Sequence, residues 1–67
     1  MHKFYFICKC IKESSVYGIK LGLDYEGEGV VYSNGRVEYN VHAVWEKCGM
    51  TYSPTIFGEY FEITAAS

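Results

Sequence analysis

Long apolar runs, prolines, basic residues and complete sets of catalytic or ligand groups are all scarce in this 67-residue chain. The apolar stretch that begins at Phe4 is broken by Lys9 after five residues. A secretory signal needs about 7 to 15 apolar residues in a row. A membrane-spanning helix needs about 20. Neither a cleaved leader nor a membrane contact is therefore expected. With one proline, at position 54, and no repeat or low-complexity tract, nothing divides the chain. A single domain over residues 1–67 is expected.

The three cysteines cannot all pair with one another. Without an export signal, the expected compartment is a reducing cytosol, with free thiols. Cys8 and Cys10, joined by His42 and Cys48, are ligand types suited to zinc, but their spacing differs from the usual C-x₂₋₄-C pairing. On an extended strand, Cys8 and Cys10 place their Cα atoms about 6.5 to 7 Å apart. That separation disfavours a disulfide as well. Both are expected to face inward as small hydrophobes, with no metal or cofactor bound.

Catalytic groups are equally sparse. Cys48 is expected near the C-terminal end of a short helix, where the helix dipole opposes a thiolate. His42, expected to face solvent at the start of that helix, has no partner evident from spacing. Glu26 and Glu28 flank Gly27 and Gly29 and read as a solvated connection. Gly27-Glu28-Gly29 lacks the following helix and basic residue of a phosphate loop. An enzyme is not expected.

Aromatic residues are plentiful, with seven Tyr, four Phe and one Trp. They matter because a chain this short buries only about 60% of its unfolded surface, so each core residue must supply much apolar area. Two stretches read as β-hairpins. In the first, Lys12-Glu13-Ser14-Ser15 turns the chain, so that Cys10 meets Tyr17, Cys8 meets Ile19, Phe6 meets Leu21, Phe4 meets Leu23 and His2 meets Tyr25 on one apolar face. The other face pairs Lys9 with Gly18, Ile7 with Lys20, Tyr5 with Gly22 and Lys3 with Asp24, the last an expected ion pair. In the second, Asn34-Gly35 predicts a two-residue type I′ turn with Tyr32 opposite Val37 and Val31 opposite Glu38. One face then collects Val30, Tyr32, Val37, Tyr39 and Val41.

Asn40 as N-cap, an apolar stripe at Val41, Val44, Trp45 and Cys48, and Gly49 as the stop predict a helix of about two turns. Trp45 is expected in the core. Thr51 to Thr55 reads as a loop and Ile56 to Thr64 as a strand with a bulge at Gly58, Phe57, Phe61 and Ile63 pointing inward, Tyr60 and Glu62 outward. Ala65 to Ser67 is expected to fray. The chain is thus expected to be mainly β (α+β) in the order β-β-β-β-short helix-β, all antiparallel. It would form either a small open sheet with the helix across one face or an SH3-like barrel.

Net charge is −2, with a pI near 5.5. Residues 1–20 carry Lys3, Lys9, Lys12 and Lys20 against Glu13, a net of +3, while the remainder nets −5. The surface singled out for a partner is Lys3, Tyr5, Ile7, Lys9, Gly18, Lys20 and Gly22, on the outer face of the first hairpin. Single-stranded nucleic acid is one candidate, since a base could stack on Tyr5 between flat glycines. Few lysines and an acidic pI oppose it. Apolar Ile7, Ile11, Val16 and Val31 on outer faces favour a larger protein, with the chain as adaptor or inhibitor. A homodimer through an exposed strand edge or an apolar outer face is the remaining expectation.

Overall fold

Along His2–Cys10 the burial alternates: Phe4, Phe6, Cys8 and Cys10 turn inward, while Lys3, Tyr5, Ile7 and Lys9 turn outward. That period of two is the mark of a strand with one covered face. The computed structural model describes residues 1–43 and 49–67. In it this strand, β1, is followed by β2 (Asp24–Val31), β3 (Val37–Ala43), β4 (Met50–Tyr52), helix α1 (Pro54–Tyr60) and β5 (Phe61–Ala66). The order β-β-β-β-short helix-β reads as expected, but β2, β4 and α1 are formed by other segments than those expected. All strands are antiparallel in a single open sheet ordered β4-β3-β2-β1-β5, not a closed barrel.

The strand facing β1 differs from the expected one. Cys8 lies opposite Tyr25, Phe6 opposite Gly27, Phe4 opposite Gly29 and His2 opposite Val31. Residues 11–23, whose second half was expected to be the return strand, form an excursion instead. Gly18 and Gly22 take φ of 68° and 83°, which an extended strand cannot contain. The excursion is tied down by reciprocal Ser14–Ile19 backbone bonds of 3.0 and 3.1 Å, by Ile19 in the core and by the Lys20 N–H donating to the Tyr25 hydroxyl at 3.2 Å. Val16, 85% exposed, and Leu21 are left in the open. The Glu26 to Gly29 stretch, expected to be a solvated connection, is the centre of β2. Its glycines leave room for aromatic rings: a Cβ on Gly29 would collide with the Phe4 ring, and one on Gly27 would lie 3.1 Å from the tip of Phe6. An aromatic over a cross-strand glycine was expected at Tyr5 and Gly22. It occurs on the opposite face of β1.

The second hairpin is offset by one residue. Only Gly35 has positive φ, 88°, whereas a type I′ turn needs it at Asn34 too. A three-residue loop, Ser33-Asn34-Gly35, results, closed by Tyr32 N–H to Arg36 O at 2.8 Å and Gly35 N–H to Tyr32 O at 2.9 Å. Val31 therefore faces Val37, and Val30 faces Glu38. A slip of one residue exchanges the faces of one strand relative to the other. Tyr39 and Val41 now share the inner face with Tyr25, while Val30 shares the outer face with Glu28 and is buried there.

Val41–Ala43, expected to open a helix, continues β3, since Ala43 pairs with Tyr25. The remainder of that expected helix, including Trp45 and Cys48, lies outside the described residues. The described helix comes later, where Thr51–Thr55 was expected to be a loop and Ile56 to Tyr60 a strand. Ser53 caps it by accepting from the Ile56 N–H at 3.4 Å, and Pro54 occupies its first turn, where no N–H is needed. Phe57 and Phe61 point inward as expected, and Glu62 is exposed. Tyr60 instead packs against the core, Ile63 is 38% exposed, and Gly58 is an exposed helical residue, not a bulge. The bulge falls elsewhere, as a register shift between Ile7 and Cys8 on the β5 side. Ala65 to Ser67, expected to fray, is paired: Tyr5 and Ser67 exchange backbone bonds of 3.2 and 2.8 Å.

The core fills the inner face of the sheet with Phe6, Cys8, Cys10, Tyr25, Val41, Ala43, Tyr52 and Phe61, covered by Ile19 of the excursion and Phe57 of α1. Aromatic rings form much of this layer. Phe57 stacks on Tyr39 at 4.1 Å, and Tyr52 and Tyr25 meet Phe61 edge-on at 5.4 and 5.6 Å.

Candidate functional site

Both covering elements, α1 and the excursion, lie on the inner face, so among the described residues the outer face of the sheet is left open. Tyr5 is 58% and Ile7 47% exposed, side by side on β1. They border an open trough of about 740 Å³ that runs across the strands from Ala65 on β5 to Thr51 on β4. Small residues line its two ends, Ala65 at one and Gly49 at the other, and the backbone of Gly27 in the middle of β2 forms part of its floor.

Its polar lining comes from three strands. On β2, Glu28 sits opposite Tyr5 and Glu26 opposite Ile7. On β3, Asn40 sits opposite Glu28 and His42 opposite Glu26. The Thr51 hydroxyl of β4 donates to Asn40 Oδ1 at 2.6 Å. His42 Nδ1–H donates to its neighbouring Ala43 carbonyl at 2.9 Å, which turns Nε2 toward Glu26 Oε1, 3.9 Å away. That contact becomes an ion pair only when the imidazole is protonated. Both side chains are partly solvated, so it contributes little to stability. His42 is thus half-buried on a strand instead of solvent-facing at a helix start. Lys3 Nζ lies 3.7 Å from Glu28, not beside Asp24.

Of the residues expected to form the partner surface, Lys3, Tyr5, Ile7 and Lys9 do lie together. Gly18, Lys20 and Gly22 do not lie opposite them, because the strand that pairs with β1 is β2. Asp24 and Glu62 flank Lys9 from the two neighbouring strands. A surface expected to be rimmed by lysine is therefore lined by carboxylates. The trough's polar lining, Glu26, Glu28, Asn40, His42 and Thr51, lies outside the expected partner surface. The alternation Glu-Gly-Glu-Gly carried the signal, with charge on one face of an extended strand and glycine on the other.

Cys8 and Cys10 are buried and unpaired, as expected of inward-facing thiols. Burial foremost, then Cys10 and Asp24 nearby, pushes the Cys8 thiol up to about 12 from the ordinary 9.0. The Cys10 thiol donates to the Lys12 carbonyl at 3.1 Å. No three His, Cys, Asp or Glu side chains converge as metal ligands among the described residues. We expect iodoacetamide at neutral pH to spare Cys8 and Cys10 in the folded protein and to modify both in urea, read by peptide mass spectrometry. Fast native modification of Cys8 would contradict its burial. The same raised pKa has a defined pH consequence. The folded value lies above the unfolded one, so this contribution to stability is complete below about pH 9 and is lost as the pH rises toward 12.

Among the described residues, no helix is long and apolar enough to cross a membrane. In comparison with known proteins, no family model, curated sequence or solved structure matches the chain.

Proposed function

We propose that this chain is a small non-enzymatic binding module that acts on a larger protein, as adaptor or inhibitor, through the outer face of its sheet. The observation that carries this reading is the adjacent exposure of Tyr5 and Ile7 on a face that α1 and the excursion leave open. Burying one such side chain stabilises a contact by roughly 1.5 to 3 kcal/mol, and tyrosine adds a polar tip that suits interfaces. A reducing cytosol is the compartment we propose, as it suits unpaired Cys8 and Cys10. Nucleic acid is the weaker reading, because Lys3 lies 3.7 Å from Glu28 and Lys9 stands in register between Asp24 and Glu62, which sets carboxylates beside the positions a phosphate would need.

The test is affinity capture from the native host with the wild-type chain and with Ile7→Glu. Ile7 is exposed, so the variant should keep the circular dichroism spectrum and thermal midpoint of the wild type. The wild type should retain one protein in stoichiometric amount, with the affinity falling about 100-fold in Ile7→Glu, as for a central contact residue. Undiminished capture by the variant, or salt-dependent binding of a single-stranded oligonucleotide instead of a protein, would overturn the proposal.

A further inference from the structure

The outer face carries charge as well as apolar area, and the distribution of that charge narrows the occupant. Among the described residues, its cations stand beside carboxylates. Lys3 lies 3.7 Å from Glu28, Arg36 3.7 Å from Glu38, and Lys9 stands between Asp24 and Glu62 in the strand register. The trough itself contains Glu26 and Glu28 and, among the described residues, no lysine or arginine. Among the described residues, Glu26 has only the His42 imidazole, 3.9 Å away, within ion-pair distance. Among the described residues the surplus charge is therefore negative, and within the trough it sits at Glu26, opposite Ile7.

Resting on the proposed role of this face, we infer that the trough receives a basic amphipathic segment of the partner, an apolar strip flanked by lysine or arginine. The apolar strip covers Tyr5 and Ile7, while its cations reach Glu26 and compete with Lys3 for Glu28. Strands lie about 4.8 Å apart, so a five-stranded face is about 19 Å wide. A helix of about 13 residues, rising 1.5 Å per residue, spans that width. Complementary charge steers such a segment in and excludes others. A second copy docking face to face would set the same surplus carboxylates against themselves, because a two-fold interface presents one patch to itself. Nucleic acid meets the same repulsion.

The probe is a displayed library of random 16-residue peptides, selected in parallel on the full wild-type chain and on Glu26→Gln/Glu28→Gln. Both carboxylates are partly solvated, so the double variant is expected to fold; Glu26→Gln alone serves if it does not. Selection on the wild type should enrich peptides of net positive charge with apolar residues at i, i+3 and i+4. A resynthesised winner should bind the wild type with an affinity that falls with added salt, and bind the double variant about 10-fold more weakly. Neutral or acidic winners, equal binding to both chains, or no enrichment would overturn the basic segment. So would sedimentation as a dimer that Ile7→Glu disperses. The broader binding role fails separately, when host-protein capture survives Ile7→Glu.

Discussion

Phe57→Ala is expected to destabilise the fold by about 3 to 5 kcal/mol, the range for removing a buried phenyl ring. A domain of this size is held by roughly 3 to 10 kcal/mol, so the variant should be substantially unfolded at room temperature or close to it. The reason is where the ring sits. Phe57 is the buried residue of α1, stacked on Tyr39 at 4.1 Å and 9°, on Phe61 at 5.4 Å and 24°, and edge-on to Phe6 at 5.3 Å. A seven-residue helix has no stability of its own in water. Without that anchor the helix should leave the sheet and expose the aromatic layer beneath it. Urea denaturation followed by tyrosine fluorescence measures the loss. The adjacent Gly58 provides the control, because a Cβ there meets nothing within 4 Å. Gly58→Ala should raise stability by about 0.5 to 1 kcal/mol, as for an exposed helical glycine. A Phe57→Ala chain that keeps its urea midpoint would show that α1 is not held this way.

Gly27→Ala should cost about 1 to 3 kcal/mol, the usual range for overpacking, although the added group is a single methyl. That methyl would meet the backbone carbonyl of Asn40, which cannot rotate away as a side chain can, and would crowd Phe6 from 3.1 Å. Relief requires β2 and β3 to separate, at the centre of the sheet and beneath the trough. Gly29→Ala should cost less. Its methyl meets the ring of Phe4, which is only partly buried and can swing toward solvent. Thermal unfolding of the two variants gives the order. If Gly29→Ala proves the more harmful, the strand register is not the one described.

Much of the site was legible. Strict alternation along His2–Cys10 places Lys3, Tyr5, Ile7 and Lys9 outward and Cys8 and Cys10 inward without reference to any other strand. Phe57 and Phe61 were also correctly turned inward, although their spacing was ascribed to a strand. Four residues apart, they fit one face of a helical turn leading into β5 as well as alternate positions on an extended strand. Ser53-Pro54 was the cue that should have decided between these, as a cap followed by a residue that needs no N–H bond.

The opposing residues were not legible, and they decide the character of the trough. Val16 to Tyr25 pairs with β1 as cleanly on paper as Asp24 to Val31 does. The second segment is the one that pairs, because Gly27 and Gly29 admit the Phe6 and Phe4 rings, while Gly18 and Gly22 turn the first out of extended geometry. The Asn34-Gly35 offset arose likewise. Each alternative closes a turn, and the one that sets Tyr39 against Phe57 completes the aromatic layer.

The sequence by itself determined the class of fold and the two faces of β1, because each depends on local alternation or on composition, whereas the expected order of elements recurs with other segments forming β2, β4 and α1. Only the tertiary structure decided that β1 lies beside Glu26 and Glu28 instead of Gly18, Lys20 and Gly22, and hence that the open face is acidic. Register is a comparison of long-range contacts, and the energies that choose it come from rings and glycines that meet only when the sheet is assembled.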